Sequence, residues 1–346
     1  IVKNFSIAAQ QEDESFEIGE TNQFDIVTAY AAVSPLYLRC FLDMLKLYHQ
    51  LSGDSLKSLI DLFLAGETAR SVVDKALTLC YRAIWEHVGG KESHTNEETG
   101  AARAKAEILM TVLSMVFAAR DGLALSEIWD LVRMTTNIEI SVSLRGIVTR
   151  IVKALCVCIS GKYSFSHGVY KEVVYSKYIA SKASLNHWHQ TMADYFARLP
   201  VCERKLMCLP YHLEEAGASQ RVKNCLTDID MFRLWWTPPF KRDFVKFWLY
   251  LLTGESDTID IPSDALTPKP PMYDVVDEYI KSLDDFRRKA HPSDELLSDI
   301  VLEIANFLLE FAIDGYEERL DTPASIHPVI PAEDLKALGV PCVSDN

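Results

Sequence analysis

Along most of this 346-residue chain the apolar residues recur at steps of three and four. Strict alternation interrupts that spacing at one place, the stretch "CVCISGKYSFS" from Cys156 to Ser166. Recurrence at three and four marks the buried face of a helix, and alternation marks a half-buried strand. The spacing therefore predicts a mainly α protein with one small β-hairpin. The hairpin turns at Ser160-Gly161-Lys162, with Gly where a positive φ is needed. Helical spacing resumes after His167, through Tyr170, Val173, Val174 and Tyr178.

The first helix carries Leu36, Leu38, Phe41, Leu42, Leu45 and Tyr48. A second carries Leu56, Leu59, Ile60, Phe63 and Leu64, with Asp54 or Ser55 as its cap. A third runs over 71–88. Gly89 to Gly100, "GGKESHTNEETG", is polar and rich in breakers and reads as an exposed loop. Helices over 103–119, 125–134 and 143–154 then precede the hairpin. Helix, helix, helix, hairpin is the order of a winged helix. Beyond residue 185 the spacing gives consecutive helices over 185–198, 201–217, 219–226, 228–236, 240–252, 273–290 and 293–313. The last two make a helical hairpin of the size of a solenoid repeat. Residues 321–346 hold Pro323, Pro328, Pro331 and Pro341 and read as an extended tail.

Charge and composition narrow the function classes. The chain has 35 Lys and Arg against 49 Asp and Glu, a net charge of −14. Nucleic-acid binding needs a basic footprint, and an anionic membrane surface attracts a basic one. Arg145, Arg150 and Lys153 are the cations of the third helix before the hairpin, the helix through which a DNA-binding winged helix works. The acidic surroundings weigh against that role, so we expect neither nucleic-acid nor membrane partners. The run from Ala106 to Ala119 is too short to span a bilayer. Eight Cys without a CxxC pair read as core thiols of a reducing, cytoplasmic compartment, Cys156 and Cys158 included. The chain begins with Ile, so a longer parent is expected.

No catalytic constellation stands out. Gly90-Lys91 resembles the end of a phosphate loop, but Trp85 stands where the first Gly belongs and Glu92 where the hydroxyl belongs. There is no Ser/His/Asp or Cys/His arrangement of recognisable context. His187, His189 and His212 fall on helices, the first two on different faces, so no metal site is expected. The aromatic residues Trp235, Trp236, Phe244, Phe247 and Trp248 read as core between stacked helices. Trp235, Trp236 and Trp248 are also the candidates for a partner groove, because Trp anchors interfaces.

Five stretches, in order, resemble the region that follows the nucleotide-binding core in NACHT-type STAND NTPases. The likeness is greatest to long forms that continue into tetratricopeptide repeats, such as nephrocystin-like, NWD-type and telomerase-associated proteins. "AAVSPLYLRCFLDMLKLY" (Ala31–Tyr48) resembles their Asn-Pro-Leu-Tyr-Leu helix, and "RDGLALSEIWDL" (Arg120–Leu131) resembles the start of their winged helix. "YSFSHGVYKEVVYSKYI" (Tyr163–Ile179), "HWHQTMADYFARLP" (His187–Pro200) and "CLPYHLEEAG" (Cys208–Gly217) resemble the motifs that follow.

The resemblance covers about residues 25–235. It implies a lead-in over 1–27, a helical subdomain over 28–100 with a polar loop over 89–102, and a winged helix over 103–184. A TPR-like α-solenoid array over 185–320, with a Pro-rich linker over 253–272, and the tail over 321–346 would follow. It places His167 where family members reach the β-phosphate of ADP, and Pro35 where they pack on adenine. Gly168 stands in place of the family's Asp. ADP or ATP would enter only with an upstream domain, because these residues hold neither Walker motif. The implied role is a non-catalytic scaffold that binds other proteins within a larger complex. Family analogy adds a cytoplasmic, ciliary or axonemal setting. A nucleotide-state sensor is the alternative, and a DNA-binding regulator a weaker one.

Overall fold

The fold was obtained as a computed structural model. It describes residues 34–52, 56–65, 68–89, 96–136, 138–253 and 273–320, together with residues 18, 19, 22, 23 and 26. The expected caps Asp54 and Ser55, Gly90-Lys91, most of the linker and the tail lie outside these residues. The described chain is mainly helical with one small antiparallel sheet. It divides into two compact units, Ile1–Tyr195 and Phe196–Asn346.

In the first unit, α1 (Pro35–Ser52), α2 (Leu56–Leu64) and α3 (Ala69–His87) lead into α4 (Asn96–Ala118). Of the periodic residues of α1, Leu38, Phe41, Leu42, Leu45 and Tyr48 are buried, and Leu36 is half-buried. Phe41 meets the edge of Phe63 on α2 at 6.1 Å. α3 is the central element. Its row of Val72, Val73, Ala76, Leu77, Cys80 and Ile84 is buried, and it packs against α1 and α4. Thr68 and Ser71 close its N-terminus as a reciprocal capping pair. α4 starts at Asn96, inside the stretch expected to be a loop. Four alanines between 101 and 106 favour helix, and the Arg103–Glu107 pair at 3.0 Å supports it.

A short strand, β1 (Leu123–Ala124), precedes α5 (Leu125–Thr136) and α6 (Val142–Leu155). Then come β2 (Cys156–Ile159), β3 (Lys162–Phe165) and α7 (Gly168–Val174). The sheet order is β1-β3-β2, with Leu123 opposite Tyr163 and Cys158 opposite Tyr163 on the other side. β1 was not foreseen, because two residues carry no period. Ser160 and Gly161 both have positive φ, 51° and 78°, as the two-residue turn requires. Cys156 is buried, but Cys158 is exposed, because β2 runs out past the edge of the core. Besides α1 and α4, α3 packs against α6 and α7, so the helical subdomain and the hairpin-bearing segment share one core.

In α8 (Lys182–Ala197), Trp188, His189, Met192 and Ala193 are buried. The second unit continues with α9 (Glu203–Glu215), α10 (Ser219–Leu226), α11 (Ile229–Trp235), α12 (Lys241–Thr253), α13 (Val275–Ala290) and α14 (Asp294–Leu320). α9 packs on α10 and α11, α10 on α11 and α12, and α11 on α13 and α14. α9 and α10 thus each meet both the next helix and the one after it, and α11 meets two helices further along. Among the described residues no helix is long and apolar enough to cross a membrane.

Candidate functional site

His167 stands where the sheet hands over to a helix. Ser166 ends β3 by donating both its backbone N–H and its hydroxyl to the Leu155 carbonyl, each at 3.0 Å. The next residue, His167, is extended (φ −148°, ψ 150°), and its Nδ1 accepts from the Val169 N–H at 3.2 Å. His167 is therefore the N-cap of α7, a position that favours side chains able to accept a hydrogen bond. Accepting at Nδ1 places the proton of the neutral ring on Nε2. The ring is exposed.

Pro35 is the first residue of α1 and is also exposed. Proline suits that position because its fixed φ is helical and its missing N–H would have had no partner. Ser34 caps the turn, its hydroxyl accepting from the Tyr37 N–H at 3.4 Å. The structure gives no contact between His167 and Pro35. Their helices are joined instead one turn after His167 and two turns after Pro35. There the buried Tyr170 hydroxyl donates to Asp43 Oδ2 at 3.5 Å, and Arg39 Nε donates to the same oxygen at 2.7 Å. Burial, with Cys40 and Asp43 alongside, pushes the Tyr170 phenol far up, so it keeps the proton it donates to Asp43. Burial also raises the Asp43 carboxyl, against the pull of Arg39.

Past α7 the chain widens into a π-turn, Tyr175–Ile179, closed by Ala180 at φ 57°. Lys177 anchors it to α3 through Asp74 at 2.7 Å and the Thr78 hydroxyl at 2.8 Å. Tyr175 lies against Phe117 of α4 at 5.7 Å. An open cavity of about 500 Å³ sits here, lined by Arg70, Glu172, Tyr175, Ser176 and Ala180. It holds one cation and one carboxylate, and the Ser176 hydroxyl donates to the Val173 carbonyl at 3.1 Å. Among the described residues no three His, Cys, Asp or Glu are grouped to hold a metal. His187 is exposed against Trp188, while His189 is buried. Burial lowers the His189 ring to a pKa of about 4. In the second unit, the buried His212 stacks on Phe196 at 5.7 Å.

The tryptophans separate by exposure. Trp235 is buried between Phe244, at 5.0 Å, and a stacked Phe247, at 5.6 Å. Trp248 is buried beside Tyr279 at 5.9 Å. These two rings fill the core of the second unit and are not presented to a partner. Trp236 is half-buried, with Lys241 Nζ 3.8 Å from its ring centre. Lys241 also pairs with Glu310 at 3.2 Å. Reasoning from spacing missed Tyr279 and Phe307, which meet Phe232 edge-on at 5.3 Å and 6.0 Å. Both lie beyond the Pro-rich stretch, far in the chain from the aromatic residues around Trp235 to Trp248.

The chain is 27% identical over 207 residues to a TPR repeat-containing protein of Dictyostelium discoideum. The match takes in 59% of this chain and 12% of that protein's length. No family model matches the chain, and no solved structure matches it.

Proposed function

We propose that this chain is a non-catalytic scaffolding segment that binds other proteins through the helices of its second unit, used as a TPR-like array. The observation that carries the reading is the packing of α9 to α14, where α9, α10 and α11 each meet helices further along and α11 to α14 share one aromatic core. Stacked helical hairpins bury a continuous core this way and leave an extended surface for partners. The likeness to a TPR repeat-containing protein supports it. The order α4, β1, α5, α6, β2, β3 supports reading the first unit as a winged helix behind a helical subdomain, as in NACHT-type STAND proteins. The setting we propose is cytoplasmic, within a ciliary or other cytoskeletal complex.

The test is proximity labelling in cells with this chain, followed by direct binding of each recovered protein to the purified chain. Trp236→Ala with Lys241→Glu changes the half-exposed aromatic edge of the array without touching Trp235 or Trp248. Weakening of a purified partner by about tenfold, or 1.4 kcal/mol, supports the reading. A partner that binds undiminished, or ATP turnover by the chain alone, sinks it.

His167 favours a second reading, a nucleotide-state sensor in a longer protein. Its ring is exposed, with Nδ1 committed to the cap and Nε2–H left to donate. In a parent that carries a nucleotide-binding core, His167→Ala would weaken ADP while His167→Asn, which keeps the cap, would weaken it equally. Unchanged ADP affinity in both variants ends this reading.

A further inference from the structure

Between Glu139 and Glu172 there is no acidic residue, although the chain as a whole carries a net charge of −14. That span holds five of the 35 cations: Arg145, Arg150, Lys153, Lys162 and Lys171. Three of the five are on α6. The buried side of α6 is Leu144, Val148, Ile151, Val152 and Leu155. What it leaves outside is Val142, Ser143, Arg145, Gly146, Arg150 and Lys153, all exposed, with the Ser143 hydroxyl taken up by His87 at 2.8 Å. At 3.6 residues per turn, Val142, Arg145, Gly146 and Lys153 fall on one face, with Arg150 at its flank.

The cations of this face are not spent inside the molecule. Arg150 and Lys153 have no acidic partner among the described residues. The Arg145 guanidinium lies 5.6 Å from the ring centre of Trp129 on α5, a contact that leaves its charge uncancelled. Other helices pair several of their cations, as in Arg39–Asp43, Arg82–Glu86 and Arg233–Glu303. Two further features shape the face. Val142 at its head is 87% exposed. Gly146 at its middle has nothing within 4 Å of where a Cβ would stand, so a partner's backbone could come close.

We propose that this face of α6 docks an acidic, aliphatic-bearing segment of another protein. Its carboxylates meet Arg145, Arg150 and Lys153, and an aliphatic side chain covers Val142 and the edge of Trp129. Charge complementarity selects the partner's sign, because the rest of the chain is acidic and repels polyanions in general. The exposed Val142 and the arginine resting on an aromatic ring suit a protein surface better than a phosphate backbone. Three cations also fall short of the roughly six to ten phosphate contacts of a typical duplex-binding protein. The site is in the first unit, so it stands or falls apart from the array proposed above.

The experiment uses the purified chain, a synthetic helical peptide with a Leu stripe flanked by Glu, and a short DNA duplex. Both are titrated by calorimetry or fluorescence anisotropy at low and moderate salt. The expected result is peptide binding that weakens at least tenfold in Arg150→Glu/Lys153→Glu. Val142→Ser should weaken it too, without changing its salt dependence. Melting temperatures of both variants should match the parent chain, since all three side chains are exposed. Absence of peptide binding, or binding that neither variant alters, overturns the proposal. Tighter binding of the duplex with a steep salt dependence also overturns it, and assigns the face to nucleic acid.

Discussion

Lys223 on α10 and Glu278 on α13 form an ion pair at 2.5 Å with both side chains largely covered, 13% and 14% exposed. Lys281 meets the same carboxylate at 2.9 Å. Burial pushes the Glu278 carboxyl up, but the two ammonium groups outweigh it and hold the pKa below the usual value. A depressed carboxyl stabilises the fold above its unfolded pKa of about 4.3, and that stability is lost as pH falls through the folded value. Lys223→Met leaves Lys281 in place, so the expected loss is about 2 kcal/mol, below that of a fully buried orphan charge. Urea unfolding at neutral pH checks the size. Repeating it near pH 3 should find the variant and the parent closer together.

Gly122 is held by a close approach. It sits at φ 71°, and a Cβ there would lie 2.6 Å from the Tyr163 carbonyl oxygen on β3. Gly161 has φ 78° and open space around it. Gly161→Ala should cost about 1 kcal/mol, the conformational part alone. Gly122→Ala should cost at least about 2 kcal/mol more, because the strand itself must move. Thermal melts of the two variants separate the contributions. Equal losses would mean that β1 and β3 do not approach as described.

His189 makes the first unit acid-sensitive. Its ring is 3% exposed, and burial lowers its pKa to about 4. In the unfolded chain it takes up a proton near pH 6.5, while in the folded chain it stays neutral. Stability should therefore fall as pH drops from about 6.5 towards 4, by roughly 3 kcal/mol in total. His189→Leu should remove that slope without removing the slope from Glu278. A parent chain whose unfolding free energy is flat across this window would show that the ring is protonated in the fold.

His167 can be tested as a cap without any ligand. His167→Ala should lower stability by about 1 kcal/mol, and His167→Asn should restore most of it, since Asn also accepts from the helix N–H groups. Hydrogen exchange at Val169 and Tyr170 reads the effect locally. Equal protection in all three chains would mean that the Nδ1 bond contributes nothing.

Much of the helical framework was legible in the residues because burial imposes the period. Val72, Val73, Ala76, Leu77, Cys80 and Ile84 are spaced for one face, and that face is buried. Ser160 and Gly161 announce the hairpin, because few sequences accept two consecutive positive φ values. Polar stretches were less legible. The first turns of α4 carry no apolar period, and β1 is two residues long, so neither had a pattern to read. The roles of single residues were least legible. Trp235 and Trp236 are neighbours in the chain, yet one is in the core and the other is only half-buried, beneath Lys241.

The sequence by itself determined most of the helical segments, where the one hairpin turns, and that positive charge gathers between Glu139 and Glu172. These follow from local backbone preference, from the spacing of apolar side chains and from counting. The tertiary structure decided which side chains meet across distance: Tyr170 with Asp43, Lys177 with Asp74, Lys223 with Glu278. It also decided which cations remain unpaired on α6. Such pairings join residues far apart in the chain, and no local preference encodes them. They arise only when the buried faces have chosen their neighbours and the polar groups left at the seams must find partners.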